Sequence, residues 1–165
     1  MKTIYFVRHA KSSWSDFQLA DHDRPLNKRG KKDAPRMANR LVESGASPDG
    51  ILTSTAKRAR RTARAFQEAF DVPDDRIIKK KSLYHAVPRG IEEKITALPD
   101  EWDTVLVFGH NPGYTDLANQ LDHDGTIDNV PTCGIVGARI AIKSWADFSL
   151  SKAKRFTFMY PKQEQ

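Results

Sequence analysis

The stretch IYFVRHAKSSW, residues 4–14, decides how the rest of the chain is interpreted. Its first four residues are β-branched or aromatic, and the apolar run stops abruptly at Arg8. A short run of this composition favours a β-strand, which we predict to be central in a sheet. Open α/β sheets place their ligands beyond the carboxyl ends of the strands, so we expect Arg8, His9 and Ser12 at the rim of a cleft.

Length and composition predict one soluble globular domain. The 165 residues suit a single domain spanning 1–165, and the 39% hydrophobic and 29% charged fractions are ordinary for a folded, soluble chain. No apolar run approaches the roughly 18 residues that suggest a membrane helix. The apolar N-terminal residues belong to the first predicted strand rather than to a secretion leader. The lone cysteine, Cys133, excludes an internal disulfide and suits a reducing compartment, so we expect the cytoplasm.

The net charge of +6 favours encounters with acidic ligands or surfaces. Basic residues form short clusters at 28–29, 31–32, 57–58, 60–61 and 79–81. Clusters of this kind are usually solvated faces, and we make an exception only for Arg58. Residues 79–81 have no stacking aromatics or nucleic-acid module beside them, so we expect no nucleic-acid partner.

Strand and helix signals alternate along the chain. Strands are predicted at 4–7, 51–53, 77–78, 104–108, 135–142 and 155–160, and helices follow Asn27, Ser54, Pro88 and Gly113. We expect Asn27 and Ser54 to cap their helices. The first helix has one apolar stripe, formed by Ala34, Met37, Ala38, Leu41 and Val42. Gly45 is expected to end this helix. The order βαβαβαβαββ predicts an α/β fold, a three-layer αβα sandwich with a mainly parallel sheet.

Three strand ends carry the residues that suggest a phosphate site. Arg8 and His9 follow the first strand, Arg58 lies just after the second, and His110 follows the strand at 104–108. The carboxyl ends of parallel strands share one edge of the sheet, so these side chains should converge. Guanidinium groups bind phosphate oxygens bidentately, and helix N-termini add backbone donors.

These residues also carry a family resemblance. Residues 7–14 resemble the Arg-His-Gly signature of the histidine phosphatase superfamily, which has the phosphoglycerate-mutase-like fold, with Ala10 in place of glycine. Residues 54–63 resemble its Ser-Pro-x-x-Arg-Ala-x-Gln-Thr-Ala block, which singles out Arg58, and residues 108–110 resemble the block of the second catalytic histidine. The three blocks occur in family order. The chain is most similar to the compact phosphohistidine phosphatase branch, which lacks large cap insertions.

The resemblance implies a mechanism without a metal or another cofactor. His9 attacks phosphorus and forms a phosphohistidine intermediate, which water then hydrolyses. Arg8, Arg58 and a protonated His110 hold the equatorial oxygens. Ser12 matches the hydroxyl position of the family's phosphate loop, although a capping or turn role is equally open.

The chain departs from the family where a general acid is expected. Many relatives have Leu-x-Glu after the third strand, whereas Leu83-Tyr84-His85 places His85 at the glutamate position. His85 is either a proton donor or a surface histidine. A phosphoramidate protonates readily on its leaving nitrogen, so the missing carboxylate favours phosphohistidine substrates. We therefore expect a monomeric phosphatase for a phosphorylated protein or a small phosphorylated metabolite, with no membrane partner.

Other interpretations remain beside this one. The same site would suit a small-molecule or sugar phosphate phosphatase, or a phosphate-binding module without catalysis. The triplets Asp21-His22-Asp23 and Asp122-His123-Asp124 invite a metal site, but neighbouring extended residues point to opposite sides and lack zinc-ligand spacing. We interpret Cys133 as a packed residue, and Trp14 as a wall of the cleft or the edge of the core rather than a substrate contact.

Overall fold

One six-stranded mixed sheet organises the computed structural model, which describes residues 1–163. Its strands are β1 (Lys2–Arg8), β2 (Gly50–Ser54), β3 (Ile77–Lys80), β4 (Thr104–Gly109), β5 (Ile135–Ile140) and β6 (Lys154–Met159). The helices are α1 (Lys28–Glu43), α2 (Lys57–Phe70), α3 (Pro88–Ile95) and α4 (Gly113–Gln120). All the strands and helices predicted from sequence are present, with small shifts at their ends.

The strand order β3-β2-β4-β1-β5-β6 places β1 inside the sheet. Strands β1 to β4 are parallel, whereas β5 is antiparallel to β1 and β6 is antiparallel to β5. Arg8 lies opposite Gly109, and Thr53 lies opposite Phe108. The carboxyl ends of β1, β4 and β2 are therefore immediate neighbours, as a site shared by three strand ends requires.

Helices cover both faces of the sheet. On one face Tyr5 and Val7 pack with residues of α1 and α2, and on the other Ile4 and Phe6 pack with residues of α3 and α4. All four of these β1 side chains are buried. This burial on both faces explains the continuous apolar run at the start of the chain. The predicted three-layer α/β sandwich is confirmed.

Helix α1 follows its sequence signals with one exception. The Asn27 side chain accepts a hydrogen bond from the Gly30 backbone N–H at 2.9 Å, and Leu26 beside it is buried. Gly45, just beyond the helix, has φ +90°, a left-handed value that glycine adopts without strain. Val42 was predicted to face the core, but it is 41% exposed because it lies about 100° around the helix from its buried neighbour Leu41.

Ser54 does not cap α2, contrary to the sequence prediction. It is the last residue of β2, paired with Lys80 of β3, and the helix begins at Lys57. The Ser54 hydroxyl accepts from the Ala56 N–H at 3.2 Å and also contacts His110. The strand therefore continues further than predicted and brings this hydroxyl to the edge of the sheet.

Among residues 1–163, no helix has both the length and the apolarity needed to cross a bilayer.

Candidate active site

All six site residues predicted from sequence line one recess of about 230 Å³ at the carboxyl edge of the sheet. They are Arg8, His9, Ser12, Arg58, His85 and His110. Two larger grooves run along α2, but neither contains any of the six. The convergence follows from the strand order, because β1, β4 and β2 end side by side.

His9 is buried at the centre of this recess, with 7% of its surface exposed. Its Nδ1 lies 2.8 Å from the carbonyl oxygen of Ala10. A carbonyl only accepts hydrogen bonds, so Nδ1 carries the hydrogen and Nε2 carries the lone pair. Burial lowers the pKa of His9 to about 3: the bond to Ala10 opposes this shift, and Arg58, Arg8 and Arg24 add to it. His9 is therefore uncharged at neutral pH, with a free lone pair on Nε2.

The second imidazole, His110, faces the first. The two ring centroids are 5.2 Å apart, and Nε2 of His110 lies 2.8 Å from the Ser54 hydroxyl. Burial, followed by repulsion from His9 and Arg58, lowers the pKa of His110 to about 2. Burial beside Arg58 therefore disfavours the imidazolium in this recess, and the protonated His110 expected for the reaction with phosphate stays a prediction.

Two guanidinium groups complete the recess. Arg8 donates from Nη1 to the Val130 carbonyl at 2.9 Å. Arg58 donates from Nη1 to the Asp21 carbonyl at 2.7 Å and from Nη2 to the Asp21 carboxylate at 3.0 Å. Within the described residues, the buried Nε atoms of Arg8 and Arg58 and the buried Nδ1 of His110 have no hydrogen-bond partner. Unpaired buried polar groups cost roughly 1–3 kcal/mol each, and an oxyanion is the kind of ligand that relieves this cost.

Comparison with known proteins places this geometry in a family. Residues 4–83 match the sequence model of the histidine phosphatase superfamily (branch 1). The chain belongs to the histidine phosphatase superfamily. An uncharacterized protein of Mycobacterium tuberculosis is 35% identical to this chain over 165 residues, covering 94% of this chain and 100% of that protein.

Solved structures share the fold over almost the whole of this chain. The protein assigned as phosphohistidine phosphatase SixA from Agrobacterium tumefaciens is 27% identical with a TM-score of 0.80, covering 97% of this chain and 98% of that one. A protein assigned as an alpha-ribazole-5'-P phosphatase from Escherichia coli is 18% identical with a TM-score of 0.67, covering 95% of both chains. The compact phosphoglycerate-mutase-like fold is confirmed, and it is shared by proteins named for different phosphorylated substrates.

Asp21 anchors the guanidinium side of the recess. Its carboxylate accepts from Arg58, from Arg24 Nε at 3.0 Å and from the Tyr84 hydroxyl. Burial raises the pKa of Asp21, but the bonds from Tyr84, Arg24 and Arg58 outweigh it and hold the pKa well below its usual range. The sequence analysis considered this residue only as a metal ligand. Among residues 1–163, no cluster of histidine, cysteine or acidic side chains has the arrangement of a metal site.

Thr62 joins the loop after β1 to helix α2. Its hydroxyl accepts from the Ala10 N–H at 2.9 Å and donates to the Arg58 carbonyl at 2.8 Å. Ala10 does not have a positive φ, so this position does not require the glycine that is usual in the family. The threonine belongs to the 54–63 block that resembles the family, and that block was the sequence signal available for it.

Ser12, Trp14 and His85 lie around the rim of the recess. The Ser12 hydroxyl accepts from Arg24 Nη1 at 2.8 Å, which leaves its own hydrogen free to donate. Trp14 stacks on the Arg24 guanidinium at 3.5 Å, as expected of a wall of the cleft. The His85 side chain is 65% exposed and lies 3.9 Å from the Asp21 carboxylate.

Cys133 is completely buried, and burial raises the pKa of its thiol. Its backbone N–H donates to the carbonyls of Arg8 and His9 at 3.1 and 3.0 Å. A protonated, buried thiol is a poor nucleophile. The residue therefore acts through its backbone, which holds the end of β1.

Proposed function

We propose that this chain hydrolyses phosphohistidine in proteins through a covalent phosphoryl-His9 intermediate. The observation that carries the proposal is the bond from His9 Nδ1 to the Ala10 carbonyl, which leaves the Nε2 lone pair in a recess shared with Arg8, Arg58 and His110. A fixed nucleophile beside preorganised anion donors is the arrangement that phosphoryl transfer requires.

The proposed reaction has two displacements at phosphorus. In the first, the Nε2 lone pair of His9 forms the N–P bond, and the bond from phosphorus to the substrate imidazole breaks. The departing nitrogen keeps that electron pair and takes a proton, which His85 at the mouth is available to supply. In the second, a water oxygen forms the O–P bond, the electron pair of the breaking Nε2–P bond returns to Nε2, and orthophosphate leaves with the oxygen and the protons of the water.

The guanidinium groups supply the positive field in this scheme. The unpaired Nε atoms of Arg8 and Arg58 donate to the equatorial oxygens, whose charge increases in the transition state. A phosphoryl dianion beside His110 raises the pKa of that residue by attraction, so we propose that His110 gains its proton as the substrate binds. We propose that no metal takes part, because the arginines already offset the charge.

Two features support phosphohistidine over a larger phosphorylated metabolite. His85 at the position of the family glutamate suits a leaving nitrogen that accepts a proton easily. The recess of about 230 Å³ is smaller than the usual 300–1,000 Å³ of small-molecule pockets. It admits a phosphoryl group and its imidazole, while the remainder of the substrate stays outside.

The experiment compares wild type with His9→Gln on an aryl phosphate, free phosphohistidine, a phosphohistidine protein and a sugar phosphate. We expect vanadate-sensitive hydrolysis and highest kcat/KM on phosphohistidine, with His9→Gln lowering kcat/KM by about 10³-fold or more. Labelled phosphate should be trapped on the wild type but not on the variant. His123→Gln, which replaces a histidine outside the recess, is the matched control.

Three results would contradict the proposal. Retained turnover in His9→Gln would show that the reaction does not pass through a phosphoryl-His9 intermediate. A preference for the sugar phosphate would indicate a small-molecule phosphatase, and binding of phosphate without any hydrolysis would indicate a recognition module.

We also propose that the protein is a cytoplasmic monomer with residues 1–165 as one domain. Sedimentation measures the oligomeric state, and cell fractionation measures the location.

A further inference from the structure

Exposed apolar side chains concentrate in two chain segments that contribute residues to the recess. Six large hydrophobic residues are exposed among residues 1–163, and four of them belong to the two segments that flank the mouth. These four are Trp14, Phe17, Leu19 and Val87, which we call the apolar rim. Phe17 is the most exposed, at 89%. Scattered exposed hydrophobics are common, but a cluster beside a candidate active site suggests a contact surface.

The chain geometry keeps the apolar rim close to the reacting groups. Trp14 and His85 line the recess, and Asp21 holds Arg58 within it. Phe17 is three residues from Trp14, so at most about 11 Å of extended chain separates them. Val87 follows His85 by two residues on the other segment. The rim therefore flanks the opening through which a substrate reaches His9.

The Phe17 segment is an ordered turn. The Leu19 N–H donates to the Asp16 carbonyl at 3.3 Å, and the Gln18 N–H donates to the Asp16 carboxylate at 3.0 Å. Asp and Asn side chains stabilise turns in this way. The turn presents the phenyl ring to solvent, which lowers the entropy that docking would otherwise cost.

Charge near the rim indicates the chemical character of the partner surface. Three exposed lysines lie at this edge of the sheet: Lys11 lines the recess, Lys80 ends β3 beside Ser54, and Lys81 follows it. Asp16 and Asp23 are exposed acids on the same loop; the Asp16 carboxylate accepts from the Gln18 N–H, and Asp23 lies 3.5 Å from His22. Arg8, Arg24 and Arg58 also line the recess, so basic residues outnumber acidic ones at this edge, which favours an acidic partner surface.

We propose that the apolar rim docks a folded, acidic protein that presents its phosphohistidine beside apolar side chains. This inference rests on the proposed function and adds a surface for recognising the partner. Free phosphohistidine has no apolar surface to cover Phe17 or Val87. The rim therefore distinguishes a phosphorylated protein from a small compound carrying the same N–P bond.

The test compares two substrates that share this bond: free phosphohistidine and a folded acidic carrier protein phosphorylated on histidine with phosphoramidate. The rim variant is Phe17→Ser with Leu19→Ser, and the matched control is Val42→Ser, an exposed apolar residue in α1. Val42 lies 14 residues beyond the N-terminal residue of α1, roughly 21 Å along the helix axis. We expect the rim variant to lower kcat/KM for the carrier protein about tenfold, mainly through KM.

We expect the rim variant to leave kcat/KM for free phosphohistidine unchanged, and Val42→Ser to leave both values unchanged. Equal kcat/KM of wild type and rim variant on the carrier protein would overturn the docking surface. An equal loss on both substrates would also overturn it, because the turn would then act by holding Asp21 and the recess. A wild type that hydrolyses neither substrate would instead defeat the proposed function, and the inference with it.

Discussion

One hydrogen bond decides which nitrogen of His9 is free to react. The Ala10 carbonyl accepts from Nδ1 at 2.8 Å, so the neutral ring keeps its lone pair on Nε2. The low pKa of about 3 removes competition from the proton over the whole physiological range. The neighbouring arginines add to the effect of burial in keeping the imidazole neutral, and in the proposed reaction they also attract the phosphoryl group.

Asp21 fixes the position of Arg58 as the Ala10 carbonyl fixes that of His9, and we predict that removing its charge has a measurable effect on activity. Asp21→Asn removes the charge that holds the guanidinium, at similar side-chain volume. We expect kcat/KM on an aryl phosphate to fall about 10²-fold, since misplacement by about 1 Å costs that much in a preorganised site. Inhibition by orthovanadate should weaken in parallel, because the same donors bind the anion.

Asp23→Asn is the matched control for Asp21, as it replaces an exposed acid two residues away. It should leave both readouts unchanged. Wild-type kcat/KM and vanadate inhibition in Asp21→Asn would show that Arg58 keeps its position without this carboxylate.

At the scale of the element, helix α1 packs against the loop after β1 through Gly30. A Cβ at Gly30 would lie 2.1 Å from the Lys11 carbonyl oxygen, which also accepts from the Asn27 N–H at 3.0 Å. Helix and loop therefore approach through backbone atoms, and only glycine fits without displacing the segment that carries Ser12.

Gly30→Ala should destabilise the protein by ~2 kcal/mol, because the backbone neighbour cannot move aside as a flexible side chain would. Gly90→Ala in α3 is the matched control, since its Cβ would meet nothing closer than Ala86 Cβ at 3.8 Å. That control should stabilise by roughly 0.5–1 kcal/mol through helix propensity. Urea unfolding measures both changes, and equal effects of the two substitutions would disprove the close approach.

At the scale of the whole molecule, the buried histidine pair predicts a stability that depends on pH. In the folded state the pKa of His9 is about 3 and that of His110 is about 2, both below the unfolded value of about 6.5. The unfolded chain therefore binds protons that the folded chain does not. This histidine contribution is fully present above about pH 6.5 and is lost as the pH falls towards the folded pKa values.

We expect the free energy of unfolding to fall by about 1.4 kcal/mol per pH unit for each buried histidine between about pH 6 and pH 4.5. The depressed pKa of Asp21 acts in the same direction, but only near and below its unfolded value of about 3.9. His9→Gln should remove one histidine's share of the slope. Urea unfolding at several pH values is the measurement, and a flat profile in wild type between pH 6 and 4.5 would contradict the prediction.

Local patterns determined most of the fold and the main site residues. The runs at 4–7 and 104–108 indicated strands buried on both faces, and capping by Asn27 located the start of α1. Convergence of Arg8, His9, Arg58 and His110 followed from a general rule of parallel sheets rather than from any contact. Such statements require only the hydrophobic periodicity, the burial that it implies and the direction of the strands. Local composition and the order of the elements provide all three.

Tertiary structure alone decided how those residues are held and charged. Asp21 meets Arg58 across 37 positions in sequence, and Ser54 meets His110 across 56, so no local pattern reports either pair. The neutral state of His110 depends on burial beside other cations, which is a property of the folded recess. Exposure of Val42 and of the apolar rim depends likewise on which surfaces the fold covers. Spacing along the chain assigns residues to a site, but solvation and long-range partners set their protonation and orientation.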